Sequence, residues 1–104
     1  MNNTKERILE ILQRHIIVKD SAIGTTLTGT RRDIVPDTIS LTDSERVVKL
    51  YEESIKAGAQ IITSNTFLSD PLMLRECKVE QTTDEVVAAS LKATKEARER
   101  CGKE

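Results

Sequence analysis

The sequence predicts an α/β fold in which a helix connects two parallel strands. Adjacent aliphatic residues, all of them β-branched, at positions 16–18 and 61–62 are typical of strands that are buried on both faces. Between them, residues 47–55 carry an apolar stripe with helical spacing. A strand–helix–strand order within one sheet requires a right-handed crossover between parallel strands. We therefore expect a βαβ unit.

Composition limits the chain to one small domain with few large side chains for a core. It has 104 residues, of which 38% are hydrophobic, and its aromatic residues are Tyr51 and Phe67 alone. A fold of this length usually contains more large apolar residues. We therefore expect the chain to depend on further polypeptide or on self-association.

Charge and hydropathy argue against two classes of partner. The net charge is -1 and no basic cluster is present, so nucleic-acid binding is not expected. No apolar run is long enough to span a membrane, and no secretory segment is recognisable. We expect a cytoplasmic protein without a membrane partner.

The first predicted element is a helix. Asn3 and Glu6 have the spacing of an N-cap residue and its reciprocal partner, and the helix should end near Arg14. Its apolar residues share one side and are Ile8, Leu9, Ile11 and Leu12.

A carboxylate ends the first predicted strand, residues 16–20. Asp20 leads into a loop of small residues, 21–26, in which Gly24 permits a close approach of backbone to a ligand. In that position Asp20 can hold the ammonium group of an amino-acid ligand, while backbone N–H groups bind the carboxylate of that ligand. The alternative is that Asp20 caps its own loop, and the local sequence leaves both open.

A long irregular connection, residues 28–39, precedes the central helix, and such loops are often functional. Thr42 and Glu45 have the spacing of a capping box at the start of this helix. The helix should stop at Ala57 and Gly58. Its inward stripe consists of Val47, Val48, Tyr51 and Ile55.

Polar side chains follow the second predicted strand. The run from Thr63 through Ser64 and Asn65 to Thr66 begins where that strand ends. Ligands of α/β folds bind at the carboxyl ends of parallel strands, so this run is a candidate binding rim that should lie beside Asp20. The alternative is that these are ordinary strand-end residues that satisfy loop backbone.

Two more helices are predicted after this run. Asp70 as N-cap and Pro71 at the first helical position begin a short one. Thr82 to Glu85 give a further capping-box pattern ahead of a last helix over residues 86–100. The apolar face of that helix is predicted as Val87, Leu91 and Ala97.

The cysteines predict no metal site within this chain. Cys77 and Cys101 lie far apart in the sequence, and there is no paired-cysteine motif. One histidine, His15, is present. Two reduced and incidental thiols are the expectation.

Two segments resemble motifs of one enzyme family. Residues 17–25 are similar to the first-strand motif of the homocysteine S-methyltransferases, whose usual form is DGAMGT. Residues 57–67, AGAQIITSNTF, are similar to the second-strand motif AGADIIETNTF of that family. Pro36 and Asp37 stand where the family has a PD pair. The similarity covers most of the chain and keeps the family's motif order.

The resemblance implies the beginning of a TIM (β/α)8 barrel, namely an N-terminal helix and the first two βα units, with the barrel incomplete. Residues 1–104 would then be a partial homocysteine-binding domain. The substrate-binding residues that it implies are Asp20 for the ammonium group, Ser21 and Ala22 for the carboxylate, and Asn65 and Thr66 in the second motif.

The resemblance also implies zinc for the complete domain. In the family three cysteines hold a zinc ion that keeps the homocysteine thiol deprotonated yet nucleophilic. Neither Cys77 nor Cys101 matches any of those three ligand positions, so we expect no zinc to be bound by this chain. Ser21 stands where the family has a glycine. Its side chain would obstruct the close approach of backbone to substrate that binding uses. The methyl donor, whether folate, cobalamin, betaine or a methylated sulfur compound, is left open.

The expected function is that of the N-terminal part of a homocysteine S-methyltransferase, which makes methionine, with no activity expected for this chain alone. Its partners would be homocysteine and either the missing barrel segment or a second copy. The alternative is a non-catalytic binding or assembly module derived from the same fold. The sequence leaves open whether the chain is a fragment, a split-gene product or a stand-alone module, and so whether it is an enzyme.

Overall fold

The structure is a computed structural model that describes residues 3–20, 22–29, 31 and 33–102. Its described elements are helical. In chain order they are α1 (Thr4–Arg14), α2 (Ile23–Thr28), a 3₁₀ helix (Pro36–Thr38), α3 (Ile39–Thr42), α4 (Ser44–Lys56), α5 (Pro71–Glu76) and α6 (Thr83–Arg100).

The predicted α/β class, with two βα units of a TIM barrel, is wrong for the described residues, because they contain no strand and no sheet. The two predicted strands meet in one isolated parallel bridge between Lys19 and Ile61. Asp20 N donates to Ile61 O at 3.0 Å, and Gln60 N donates to Val18 O at 2.7 Å. The parallel direction was thus predicted correctly, although the extended ladder was not.

The backbone hydrogen bonds of a parallel ladder do not continue past Val18 and Gln60. The Val18 N–H donates to the Gln60 side-chain oxygen at 3.1 Å instead of to a backbone carbonyl. The Val18 carbonyl receives the N–H groups of both Gln60 and Ile61. Parallel strands are normally covered on both faces, yet Ile16 is 92% exposed. Among the described residues no strand lies beside these two short segments, and they form a single bridge.

The core lies between α4 and α6. As predicted, α4 buries Val47, Val48 and Tyr51. The predicted face of α6 is wrong in part, because Leu91 is 49% exposed. The residues that α6 buries are Val86, Ser90, Ala93 and Ala97. Small side chains at these positions make a weak hydropathy pattern, yet they allow the two helices to approach closely.

Two of the predicted N-caps are confirmed. The Asp70 carboxylate accepts from Met73 N at 2.9 Å, with Pro71 next to it at the start of α5. The Thr82 hydroxyl accepts from Glu85 N at 3.2 Å at the start of α6. A side-chain oxygen satisfies an otherwise unpaired N–H in both cases.

Other local predictions fail. No side-chain capping bond is formed at Asn3, although α1 has the predicted bounds. Thr42 is the last residue of α3, where its hydroxyl donates to Thr38 O at 3.3 Å, and the residue before α4 is Asp43. The loop predicted for residues 21–26 is largely the helix α2. Nearby turns compete for the same side chains, and spacing alone does not decide between them.

α1 is amphipathic and buries none of its residues. Its apolar side chains are all exposed, and they are Ile8, Leu9, Ile11 and Leu12. The predicted grouping of these side chains on one helix is confirmed, but the described residues offer them no core to enter.

Replacing Ala97 by leucine should destabilise the fold. Ala97 is fully buried in the same cluster as Val47 and Val48, so a larger side chain must displace α6 from α4. We expect Ala97→Leu to lower the free energy of unfolding by about 1–3 kcal/mol. The matched control is Ala88→Leu on the exposed side of α6, which should change it by less than about 0.5 kcal/mol. Urea denaturation followed by circular dichroism measures both, and equal effects would contradict the packing.

Tyr51 should make stability fall at alkaline pH. Burial first, and then the nearby Asp20 carboxylate, raise the pKa of the Tyr51 phenol in the folded chain. Its stabilising contribution is therefore complete below the unfolded pKa of about 10 and is lost as pH rises towards the folded pKa. Tyr51 is the single tyrosine, so the ultraviolet absorbance of tyrosinate reports it directly. A tyrosinate midpoint at or below the ordinary value, or an alkaline stability loss unchanged in Tyr51→Phe, would contradict this.

Candidate functional site

Asp20 and Thr63 join the two segments that the sequence singled out. Asp20 Oδ2 accepts from Thr63 N at 2.9 Å, and Asp20 Oδ1 accepts from the Thr63 hydroxyl at 3.0 Å. The Asp20 side chain is 3% exposed, and Lys19 Nζ lies 3.4 Å from Oδ1. The prediction that Asp20 lies beside the polar run is confirmed by these contacts.

Thr63 is also held from the helical side. The Tyr51 hydroxyl on α4 donates to Thr63 O at 2.7 Å. Thr63 thus uses its N–H, its hydroxyl and its carbonyl in bonds to two buried side chains. Because Tyr51 lies in the α4–α6 core, the position of the polar run is fixed by the core.

A cavity of about 360 Å³ lies between the two segments. Residues of α2 and those just before it form one wall, and the polar run with Phe67 and Leu68 forms the other. Of the predicted substrate-binding residues, Ala22, Asn65 and Thr66 line this cavity. Asp20 borders a separate space of about 10 Å³ against Tyr51, and Ser21 lies outside the described residues.

Asn65 is buried and strongly oriented. Its N–H donates to the Ser90 hydroxyl on α6 at 2.7 Å. Its side-chain Nδ2 donates to Pro36 O at 2.7 Å and to the Ser40 hydroxyl at 3.3 Å. The amide that the resemblance assigned to substrate therefore has donors engaged within the protein, which fixes its direction at the wall of the cavity.

Hydroxyl groups provide further polar atoms on the same wall. The Ser64 and Thr66 hydroxyls are 2.9 Å apart and share a hydrogen bond. Both residues line the cavity. One of the two hydroxyl hydrogens is used in their mutual bond, so the pair can still donate one hydrogen to a bound polar group.

Asp37 is a buried carboxylate for which the sequence analysis predicted no role beyond its match to the family's PD pair. It is 1% exposed, and its Oδ2 accepts from Leu68 N at 2.8 Å and from the Ser69 hydroxyl at 2.5 Å. The Pro36–Asp37 pair in an otherwise unexplained connection was the available indication. Its burial depends on contacts across about thirty positions of sequence, which local patterns do not reveal.

A larger groove lies away from this cavity. It has a volume of about 650 Å³ and lies between α5 and the start of α6. Its charged lining is of mixed sign, with Arg75 and Lys78 near Glu80 and Asp84. Neither of the two motif segments lines this groove, so we place the candidate site in the 360 Å³ cavity.

The described residues do not fit the zinc site that the resemblance implies. They contain no group of three or more His, Cys, Asp or Glu side chains placed to hold a metal ion. Cys77 is exposed and Cys101 is half-buried, and both are free thiols. A three-cysteine site would need at least one further cysteine.

Each helix among the described residues is too short or too polar to cross a bilayer.

Comparison with known proteins gives one match. The model of the family described as homocysteine S-methyltransferase matches residues 17–103. No curated protein and no solved structure matches the chain. The matched region contains both motif segments and the helices between and after them. Because it spans most of the sequence, the chain belongs to the homocysteine S-methyltransferase family.

Proposed function

We propose that the chain binds the amino-acid part of homocysteine in the 360 Å³ cavity, as the substrate-binding part of a methyltransferase. The observation that carries this proposal is the pair of hydrogen bonds between Asp20 and Thr63, which brings both family motifs to one cavity. A volume of about 360 Å³ lies within the range of small-molecule sites.

The chemistry of the walls suits an amino acid with a short apolar side chain. Ile23, Pro36 and Leu68 offer apolar contact to the two methylene groups. The Ser64–Thr66 hydroxyl pair can donate to a carboxylate. Asp20 does not line the cavity but is bonded to Thr63, which does. We propose that an ammonium group reaches the Asp20 carboxylate beside Thr63, where lone pairs beyond those that Thr63 uses can accept from it.

Methyl transfer needs more than the described residues supply. The sulfur of homocysteine, as thiolate, attacks the methyl carbon of a donor, and the donor leaves with the electron pair of the broken bond. The groups that hold and deprotonate the thiol would come from further polypeptide, either continuous with this chain or separate from it. Ile16, Val18 and Ile61 are exposed and suit contact with such a polypeptide.

A second candidate is a binding or assembly module without chemistry. The apolar face of α1, with no residue buried, favours it. The net charge of -1 offers little repulsion between copies, so the partner we propose for this face is a second copy of the chain. Such a module has no need to bind homocysteine more tightly than related thiols. A difference in affinity between these thiols therefore distinguishes the two candidates.

Removing the Asp20 charge should weaken binding of homocysteine selectively. We expect Asp20→Asn to raise the Kd of homocysteine about tenfold or more, because a charge-assisted bond to its ammonium is lost. Mercaptobutyrate, the analogue without the amino group, should be unaffected. Calorimetric titration of both thiols measures this.

Asp33→Asn is the matched control, since that carboxylate is exposed and paired with Arg31. Equal losses for the two thiols would mean that Asp20 acts only through Thr63. Failure of the unaltered chain to bind homocysteine at millimolar concentration would refute the proposed function and favour the assembly module.

A further inference from the structure

We propose that Asp37 is a positioning residue that fixes one wall of the candidate cavity. The wall in question is the rim segment, residues 65–69, which carries Asn65, Thr66, Phe67 and Leu68 into the cavity lining. The role in substrate binding rests on the proposed function, whereas the role in holding the rim segment does not.

Asp37 is buried and hydrogen-bonded to the rim segment, as expected of a residue that holds a loop in place. A carboxylate that is 1% exposed is costly unless hydrogen bonds satisfy it. Oδ2 of Asp37 receives the Leu68 N–H at 2.8 Å and the Ser69 hydroxyl at 2.5 Å. Bonds to a charged acceptor are stronger than neutral ones, so both donors are held firmly.

The neighbouring Pro36 reaches both walls of the cavity. Its carbonyl accepts from Asn65 Nδ2 at 2.7 Å, at the other end of the rim segment. Its ring lies against α2, because its Cγ is 3.5 Å from the position that a β-carbon at Gly24 would occupy. The Pro36–Asp37 pair therefore spans the gap between α2 and the rim segment.

The rim segment has little packing of its own. Phe67 at its centre is 93% exposed, so its ring contributes almost nothing to holding the loop. Within the segment, Ser69 N donates to Thr66 O at the long distance of 3.3 Å. The position of the loop consequently depends on the bonds at its two ends, and Asp37 makes those at the Leu68 end.

Amide hydrogen exchange of the full chain tests this without a ligand. In Asp37→Ala the Leu68 N–H loses its acceptor, so we expect its exchange to accelerate about tenfold or more. Val48 in the α4 core should keep its protection. Asp37→Asn retains an acceptor without the charge and should give an intermediate rate. Asp33→Ala, at an exposed carboxylate, should leave Leu68 unchanged.

If Asp37→Ala loses its fold, Asp37→Asn replaces it. Ser69→Ala leaves the Leu68 acceptor in place and should change exchange at Leu68 less than either Asp37 variant does. Unchanged exchange at Leu68 in a folded Asp37 variant, or equal acceleration at Leu68 and Val48, would overturn the inference. Homocysteine affinity is then compared in the same variants. If the unaltered chain binds no homocysteine, the proposed function fails while the exchange rates still decide the role of Asp37.

Discussion

The contact between the Asp20 carboxylate and Thr63 is the constraint on which the site depends. In a sheet, a ladder of backbone bonds would hold two neighbouring segments in register. Here a single bridge is formed, so side chains must do part of that work. Asp20 holds the N–H and the hydroxyl of Thr63, and Tyr51 holds its carbonyl. Together with the backbone bonds of the bridge, these side-chain bonds bring the first motif against the second and so form the cavity.

The helices supply the frame for this contact. α4 provides Tyr51 from the core, and α6 provides the Ser90 hydroxyl that receives the Asn65 N–H. Ser90 is fully buried, and small residues on its helix face allow α6 to lie close to α4. Burying a hydroxyl is unfavourable unless it is bonded, and here its partner is the backbone of the candidate site. Core packing and site geometry are therefore coupled through the same helix face.

Some local and periodic features were predicted well, although the caps at Asn3 and Thr42 and part of the α6 face were not. The buried stripe of α4, the Asp70 and Thr82 caps and the meeting of Asp20 with Thr63 all follow from spacing or motif order. The strands were not correctly predicted. A β-branched run such as 16–18 forms a ladder only when neighbouring strands or helices pack on it, because that packing must offset the conformational entropy lost on ordering the strand. The burial of Ser90 and Asp37 was not predicted, because it depends on distant contacts that hydropathy does not encode.

A double-mutant cycle on Asp20 and Thr63 tests the central contact most directly. The cycle compares the free energies of unfolding of Asp20→Ala, Thr63→Val and the double variant. If the carboxylate holds the Thr63 hydroxyl as the structure has it, the two changes should be coupled by about 1 kcal/mol or more. Additivity within about 0.3 kcal/mol would contradict the contact. In that case the two motif segments would be brought together by something other than Asp20.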